Sequence, residues 1–215
     1  MTDADERKLL FRRLSAALGR PAEAGGKPPR PEEPLPASGA GTDPAGRFRQ
    51  ALAAVGGVVF SGPAEEALPI LAEVLRAEGV TALFFPPEDA GARHLAEALI
   101  PFGPFTLTTA EEVRGGDPAS TAGFRTAEAG IAETGTVVES SRGGATLLPG
   151  LLADVHVALL PAGSIVERMD EAFARYADDP PRNISLISGP SKTADIEQTL
   201  TVGAHGPRKL VVLLL

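Results

Sequence analysis

Hydrophobic and polar positions alternate with two different periods along this chain, and the switches between them mark its elements. Residues Asp3–Leu18 place Leu10, Leu14 and Leu18 on one helical stripe among Arg7, Lys8, Arg12 and Arg13, and Gly19 supplies a stop. Residues 20–43 are a Pro/Gly-rich stretch with Pro28, Pro29, Pro31, Pro34 and Pro36, too poor in apolar side chains to offset the entropy of ordering. The pattern therefore predicts an amphipathic helix over residues 1–19, a linker over 20–43 and a folded domain over 44–215. A short helix on a tether is marginal alone. It either packs back on its own domain or docks on another protein or another copy, and the second reading is preferred.

In the domain, Asp43-Pro44 opens a helix with Phe48, Ala51, Leu52 and Val55 on its apolar face. Strands follow at Val58–Phe60, Thr81–Phe85 and Phe105–Thr108, separated by a helix whose regular part begins near Pro69 and another over Asp89–Ile100. Such alternation predicts a three-layer α/β fold with a mostly parallel sheet covered on both faces. Glu111–Ala122 shows no clear period and reads as a loop or short helix. Ala127–Ala132 and Thr136–Ser140 read as strand pieces, Val155–Leu160 as a buried strand, and Lys209–Leu215 as an interior parallel strand. Ser164 and Glu167 form a capping box before a helix with Ile165, Met169, Phe173 and Tyr176 on its face. Asn183–Ser188 reads as a buried strand, and Gly189-Pro190 breaks it. Ser191 or Thr193 then caps a helix bearing Ile196 and Leu200, ended by Gly203.

Composition narrows the chemistry. The chain of 215 residues is 43% hydrophobic and 22% charged, with a formal net charge of -8. It has no Lys/Arg block, one Tyr and no Trp, which argues against a nucleic-acid surface. With no Cys there is no thiolate nucleophile, disulfide or Cys-ligated zinc or iron–sulfur centre. The charged start has no apolar core, and the apolar run at 210–215 is too short to span a bilayer. The expectation is a cytoplasmic protein without membrane insertion.

Three polar turns compete as sites. Around Ser188, Gly189, Ser191, Lys192 and Thr193, a strand delivering a Gly turn into a helix start would present backbone N–H groups and an ammonium to an anion. The spacing is not that of a Walker A loop, Asp195 and Glu197 would repel a phosphate, and an ordinary capped helix start explains the residues equally well. Glu133, Thr134, Gly135 and Thr136 could offer a carboxylate and hydroxyls while Gly lets backbone approach, or form a solvated polar turn. Arg142, in Ser-Ser-Arg-Gly-Gly, could clamp a carboxylate or phosphate, or belong to a flexible surface loop. His205, between Gly203 and Gly206-Pro207, could carry a proton or cap the preceding helix. That helix would hold it roughly 12–15 Å from Thr193. His156 reads as a packed strand residue and His94 as solvated, and no pair of His has metal-ligand spacing.

Several motifs occur in one order: Gly130-Ile-Ala-Glu-Thr-Gly-Thr-Val-Val138, Leu147-Leu-Pro149, Leu186-Ile-Ser-Gly-Pro-Ser-Lys-Thr-Ala-Asp-Ile-Glu197 and Gly203-Ala-His-Gly-Pro207. In these the chain resembles the lactate utilization protein C family, the LUD domain, over about 45–215, and Leu10, Leu14, Leu18-Gly-Arg20 is similar to that family's leading helix. The resemblance implies a fold like the ribose-phosphate isomerase, glucosamine-phosphate deaminase and CoA-transferase group. It implies a role in oxidising L-lactate to pyruvate beside two partner proteins carrying iron–sulfur clusters, with no cofactor on this chain. The expected function is thus a non-redox accessory subunit, possible as a homo-oligomer, binding an anionic small molecule. The alternative is a free-standing isomerase- or CoA-transferase-like enzyme on a phosphorylated or CoA-linked substrate, with Glu133 as nucleophile or base.

Overall fold

The structure is a computed structural model that describes residues 43–116, 120–194, 200–202 and 206–215. The helix and linker expected over 1–19 and 20–43 lie outside the described residues, as does His205. Helix α1 (Pro44–Ala54) starts at Asp43, whose Oδ1 accepts the Gly46 N–H at 2.7 Å. The chain continues through β1 (Val58–Ser61), α2 (Ala64–Ala77), β2 (Ala82–Phe84), α3 (Ala90–Leu99), β3 (Thr106–Leu107), α4 (Ala110–Arg114) and β4 (Thr121–Thr126). Next come β5 (Ala129–Ile131), β6 (Thr136–Ser140), α5 (Pro149–Leu152), β7 (Val155–Leu160), β8 (Ile165–Val166) and α6 (Met169–Ala174). The last strands are β9 (Ile184–Ile187), β10 (Lys192–Ala194), β11 (Leu200–Val202) and β12 (Lys209–Leu214).

Six strands form a wholly parallel sheet in the order β1-β12-β7-β4-β2-β3. Its period-2 alternation sorts side chains onto two faces. Val155, Val157, Val211, Leu213 and Phe124 pack with Leu71, Leu75, Leu95 and Leu99 of α2 and α3. The opposite residues, among them Ala158, Leu160, Leu210 and Val212, meet Phe48 and Leu52 of α1 and Val137 of β6. This face is therefore covered by α1 and a second sheet, β8-β5-β6-β9, rather than by helices alone. Val138 and Ile131 on the outer side of that sheet pack against Ala172 and Tyr176 around α6. The expected three-layer α/β architecture with a mostly parallel sheet is present. Among the described residues no helix is long and apolar enough to cross a membrane.

Four local readings are corrected. Helix α2 begins at Ala64, not near Pro69; Pro69 is exposed, so water can replace its missing N–H. The Ser164/Glu167 capping box does not form. Ser164 Oγ instead donates to the Pro161 carbonyl at 2.7 Å, Ile165–Val166 joins the second sheet beside Gly130–Ile131, and the helix starts at Met169. The helix expected after Ser191 is absent, since Lys192–Ala194 pairs antiparallel with Leu200–Val202. Finally, Asn183–Ser188 does hold a strand, but β9 is a partly exposed edge of the second sheet.

Between the sheets lies a buried charged cluster. Gly123 and Arg125 of β4, His156 of β7 and Glu139 of β6 all point into this layer, since their neighbours Phe124, Val157 and Val138 pack elsewhere. His156 places Nε2 2.7 Å from Glu139 Oε1 and Nδ1 3.1 Å from the Gly123 carbonyl, and both side chains are fully buried. Arg125 Nε stands 3.5 Å from Glu139 Oε2, and its other nitrogens donate to the carbonyls of Ser140 (2.5 Å) and Thr146. Gly150 of α5 closes the cluster, because a Cβ there would come within 3.2 Å of Glu139 Oε2.

Glu139→Ala leaves Arg125 and His156 facing one another without their shared carboxylate, and should cost about 3–5 kcal/mol in urea denaturation. A second ion network ties β12 to α2: Glu78 accepts from Lys209 Nζ at 2.5 Å and stands 3.2 Å from Arg208 Nε. The Lys209 hydrogen bond, against the opposing effect of burial, holds the Glu78 carboxyl below the usual carboxylate range. A depressed folded-state pKa contributes stability above the unfolded value and loses it as pH falls through the folded one. The urea midpoint of the protein should thus drop on acidification below about pH 4.5, and that of Glu78→Gln should drop less over the same range.

Candidate functional site

The polar turns meet at the carboxyl end of α1. The first, at residues 132–135 between β5 and β6, is so close to that helix that a Cβ on Gly135 would lie 2.2 Å from Leu52 N, and Gly135 has φ 63°. Only glycine fits both demands. The second turn follows β9, where Gly189 (φ 102°) would bring a Cβ within 3.0 Å of Val55 Cγ2. Lys192 Nζ donates to the Val55 carbonyl, the C-cap of α1, at 2.8 Å. An ammonium at this negative helix end is favourable. The contact uses one of three donors, and among the described residues the other two have no partner.

The register of the second sheet joins the turns. Val137 pairs with Ile187, which puts Thr136 and Ser188 side by side at the ends of β6 and β9. Thr134 Oγ1 lies 2.6 Å from Thr136 Oγ1, which lies 2.7 Å from Ser188 Oγ. Thr136 is buried, whereas Thr134 and Ser188 are exposed. A chain of hydroxyls with wet ends can reverse its donors together, so it can donate to an anion or accept from a neutral group.

Other candidate residues have different placements. Glu133 is exposed, and its Oε1 accepts the Met169 N–H at 3.0 Å, which caps the first turn of α6. Among the described residues its second oxygen has no such bond. Arg142 is not part of this site. It lies beyond the far end of β6, more than roughly 13 Å along the strand from Thr136. There it donates to the Asp179 carbonyl at 2.9 Å and covers the Tyr176 ring at 5.0 Å. Tyr176 OH donates to Glu128 Oε2 at 2.8 Å, and burial followed by that carboxylate pushes its pKa to about 12.

Because β10 replaces a helix, no helix dipole serves an anion at Lys192; the positive charge there is the side chain's own. The separation expected between Thr193 and His205 loses its basis as well. Ser191 N–H donates to the Pro207 carbonyl at 2.8 Å, which closes the segment on itself. The side chain of Thr193 and the whole of His205 fall outside the described residues. Sequence reasoning missed the Arg125–Glu139–His156 cluster because β4 was not read as a strand. The available signal was one ionisable residue in each of β4, β6 and β7.

The LUD domain family model matches residues 45–215. Over 95 residues the chain is 42% identical to an uncharacterized protein of Neisseria meningitidis, covering 43% of this chain and 41% of that one. Over 98 residues it is 35% identical to lactate utilization protein C of Exiguobacterium sp., 43% of each chain. The same protein of Geobacillus thermodenitrificans is 37% identical over 98 residues, 43% of this chain and 41% of the relative. The matched segments thus span less than half of these relatives' lengths. Among solved structures, a DUF162 family protein from Deinococcus radiodurans superposes with a TM-score of 0.53 at 19% identity, over 80% of this chain and 95% of that one. That likeness concerns the fold. The family match runs from the first turn of α1 to the last residue and takes in both polar turns, and on it the chain belongs to the LUD domain family.

Proposed function

We propose that this protein is a non-redox accessory subunit of an L-lactate utilization system, and that it binds an anionic small molecule where the two polar turns meet. The observation that carries the reading is that the turns bearing the hydroxyl chain Thr134–Thr136–Ser188 and the Lys192 ammonium are all seated on the carboxyl end of α1, in segments that lie within the family match. Relatives over part of the chain are named lactate utilization protein C, which supplies the metabolic setting. Lys192 provides the charge, the exposed hydroxyls of Thr134 and Ser188 provide directional donors, and Gly135 and Gly189 allow both turns to sit on α1. A carboxylate of lactate or pyruvate size suits such a set, since an ammonium with two free donors and a hydroxyl can satisfy both its oxygens.

The 215 residues contain no Cys, so the electron-transfer step L-lactate to pyruvate falls to partner proteins with iron–sulfur clusters. In this reading the system works in the cytoplasm, and the N-terminal Leu10, Leu14 and Leu18 stripe grips one of those partners.

Thermal-shift titration of the full chain with L-lactate, pyruvate and chloride as control tests the binding. A ligand at a hundredfold its dissociation constant adds about 2.7 kcal/mol to stability. Lys192→Met should weaken carboxylate binding at least tenfold while reducing the unliganded protein's stability by only about 0.3–1 kcal/mol. Thr136→Val and Ser188→Ala should each weaken it less. If neither carboxylate shifts the transition and cells lacking this chain grow normally on L-lactate, the reading is wrong.

A further inference from the structure

At the carboxyl end of the six-stranded sheet the chain parts in two directions. From β2 it moves outward to β3, whereas from the adjacent β4 it goes on to β7 on the other side. Neighbouring strands whose connections diverge in this way leave a crevice beyond their ends, a common seat for ligands in open α/β sheets. Here the crevice is a cleft of about 590 Å³, within the range of small-molecule sites. Phe84 and Phe85 at the end of β2 line it, with Leu148 and Pro149 at the start of α5 as a second apolar wall. That wall is anchored from below, since the Thr146 carbonyl beside it accepts from the buried Arg125.

The polar groups of the cleft are mostly acidic. Glu88, Glu97 and Glu111 line it against a single cation, Arg93. Arg93 donates to the Pro87 carbonyl, and Glu88 Oε1 accepts the Thr146 N–H at 3.3 Å. The Glu97 and Glu111 carboxylates have no hydrogen-bond or ion-pair partner among the described residues. An anion would meet repulsion here, and aromatic faces with free carboxylates favour the opposite charge. None of Thr134, Thr136, Ser188 or Lys192 lines this cleft.

We infer that this cleft is a second binding site, for a small organic cation: an amine or amidinium carried on an apolar or aromatic body. The body lies on Phe85 and Leu148, with the buried Phe84 behind them, and the cationic head faces Glu97 and Glu111. The site is separate from the carboxylate site proposed above and of opposite charge preference.

Calorimetric titration of the full chain with phenethylamine and benzamidine, and with 3-phenylpropionate as an anion of similar shape, tests this. Both cations should bind, weakening as salt rises from about 50 to about 500 mM, and 3-phenylpropionate should not bind here. The double variant Glu97→Gln/Glu111→Gln, altered only at exposed carboxylates, should fold with an unchanged melting temperature and lose at least tenfold in cation affinity. Lys192→Met should leave cation affinity unchanged, which separates failure of this site from failure of the other. Absence of cation binding at millimolar concentration, equal binding by the double variant, or a phenylpropionate affinity matching that of phenethylamine would each overturn the inference.

Discussion

The two sheets of this protein are held in register by a charge cluster rather than by apolar packing alone. Glu139 belongs to the second sheet, and Arg125 and His156 belong to the first, so the carboxylate is the link between them. Taking such groups out of water is expensive, and their mutual attraction offsets that only when geometry is close and remaining polar atoms find partners. Most do: the Gly123, Ser140 and Thr146 carbonyls accept from the ring and the guanidinium. Arg125 Nε and Glu139 Oε2 are left with only each other, at 3.5 Å. A cluster of this kind adds little net stability over a well-packed apolar one, but it penalises any other register of one sheet over the other.

That register matters because the candidate site is assembled from it. β6 carries Glu139 into the interlayer and, three residues earlier, Thr136 into the hydroxyl chain. Its pairing with β9 then decides which residue of the next turn stands beside Thr136. A slip of one position would send Glu139 to the outer face of the sheet and replace Ser188 as the hydroxyl partner. Glu139 in the buried cluster and Thr136 in the hydroxyl chain are thus set by one strand with a single fixed alignment.

Much of this was legible in the sequence. The apolar run of β12, the capped starts of α1 and α3, and the strands β1, β2, β6 and β7 follow from period and caps, because β7 and β12 are buried almost throughout and Asp43 and Asp89 accept from the first helical N–H groups. β4 was not legible. Its alternate positions are Gly123, where a Cβ would strike the Pro149 carbonyl at 2.3 Å, and buried Arg125, so half its pattern looks like a loop. The β10–β11 strand pair was misread because Ile196 and Leu200 keep helical spacing, while the Thr-Leu-Thr-Val run that favours a strand is short. The polar turns were visible as turns, but their meeting depends on pairing between residues some fifty apart, for which local pattern holds no information.

Helix α1 has an unusual position in the chain. Its carboxyl end is the seat of both glycine turns and of Lys192. Both turns are thus carried on one rod. A shift of that rod along its axis would be felt at Leu52 and Val55, where Gly135 and Gly189 leave no slack, so the helix and the two turns move as one body.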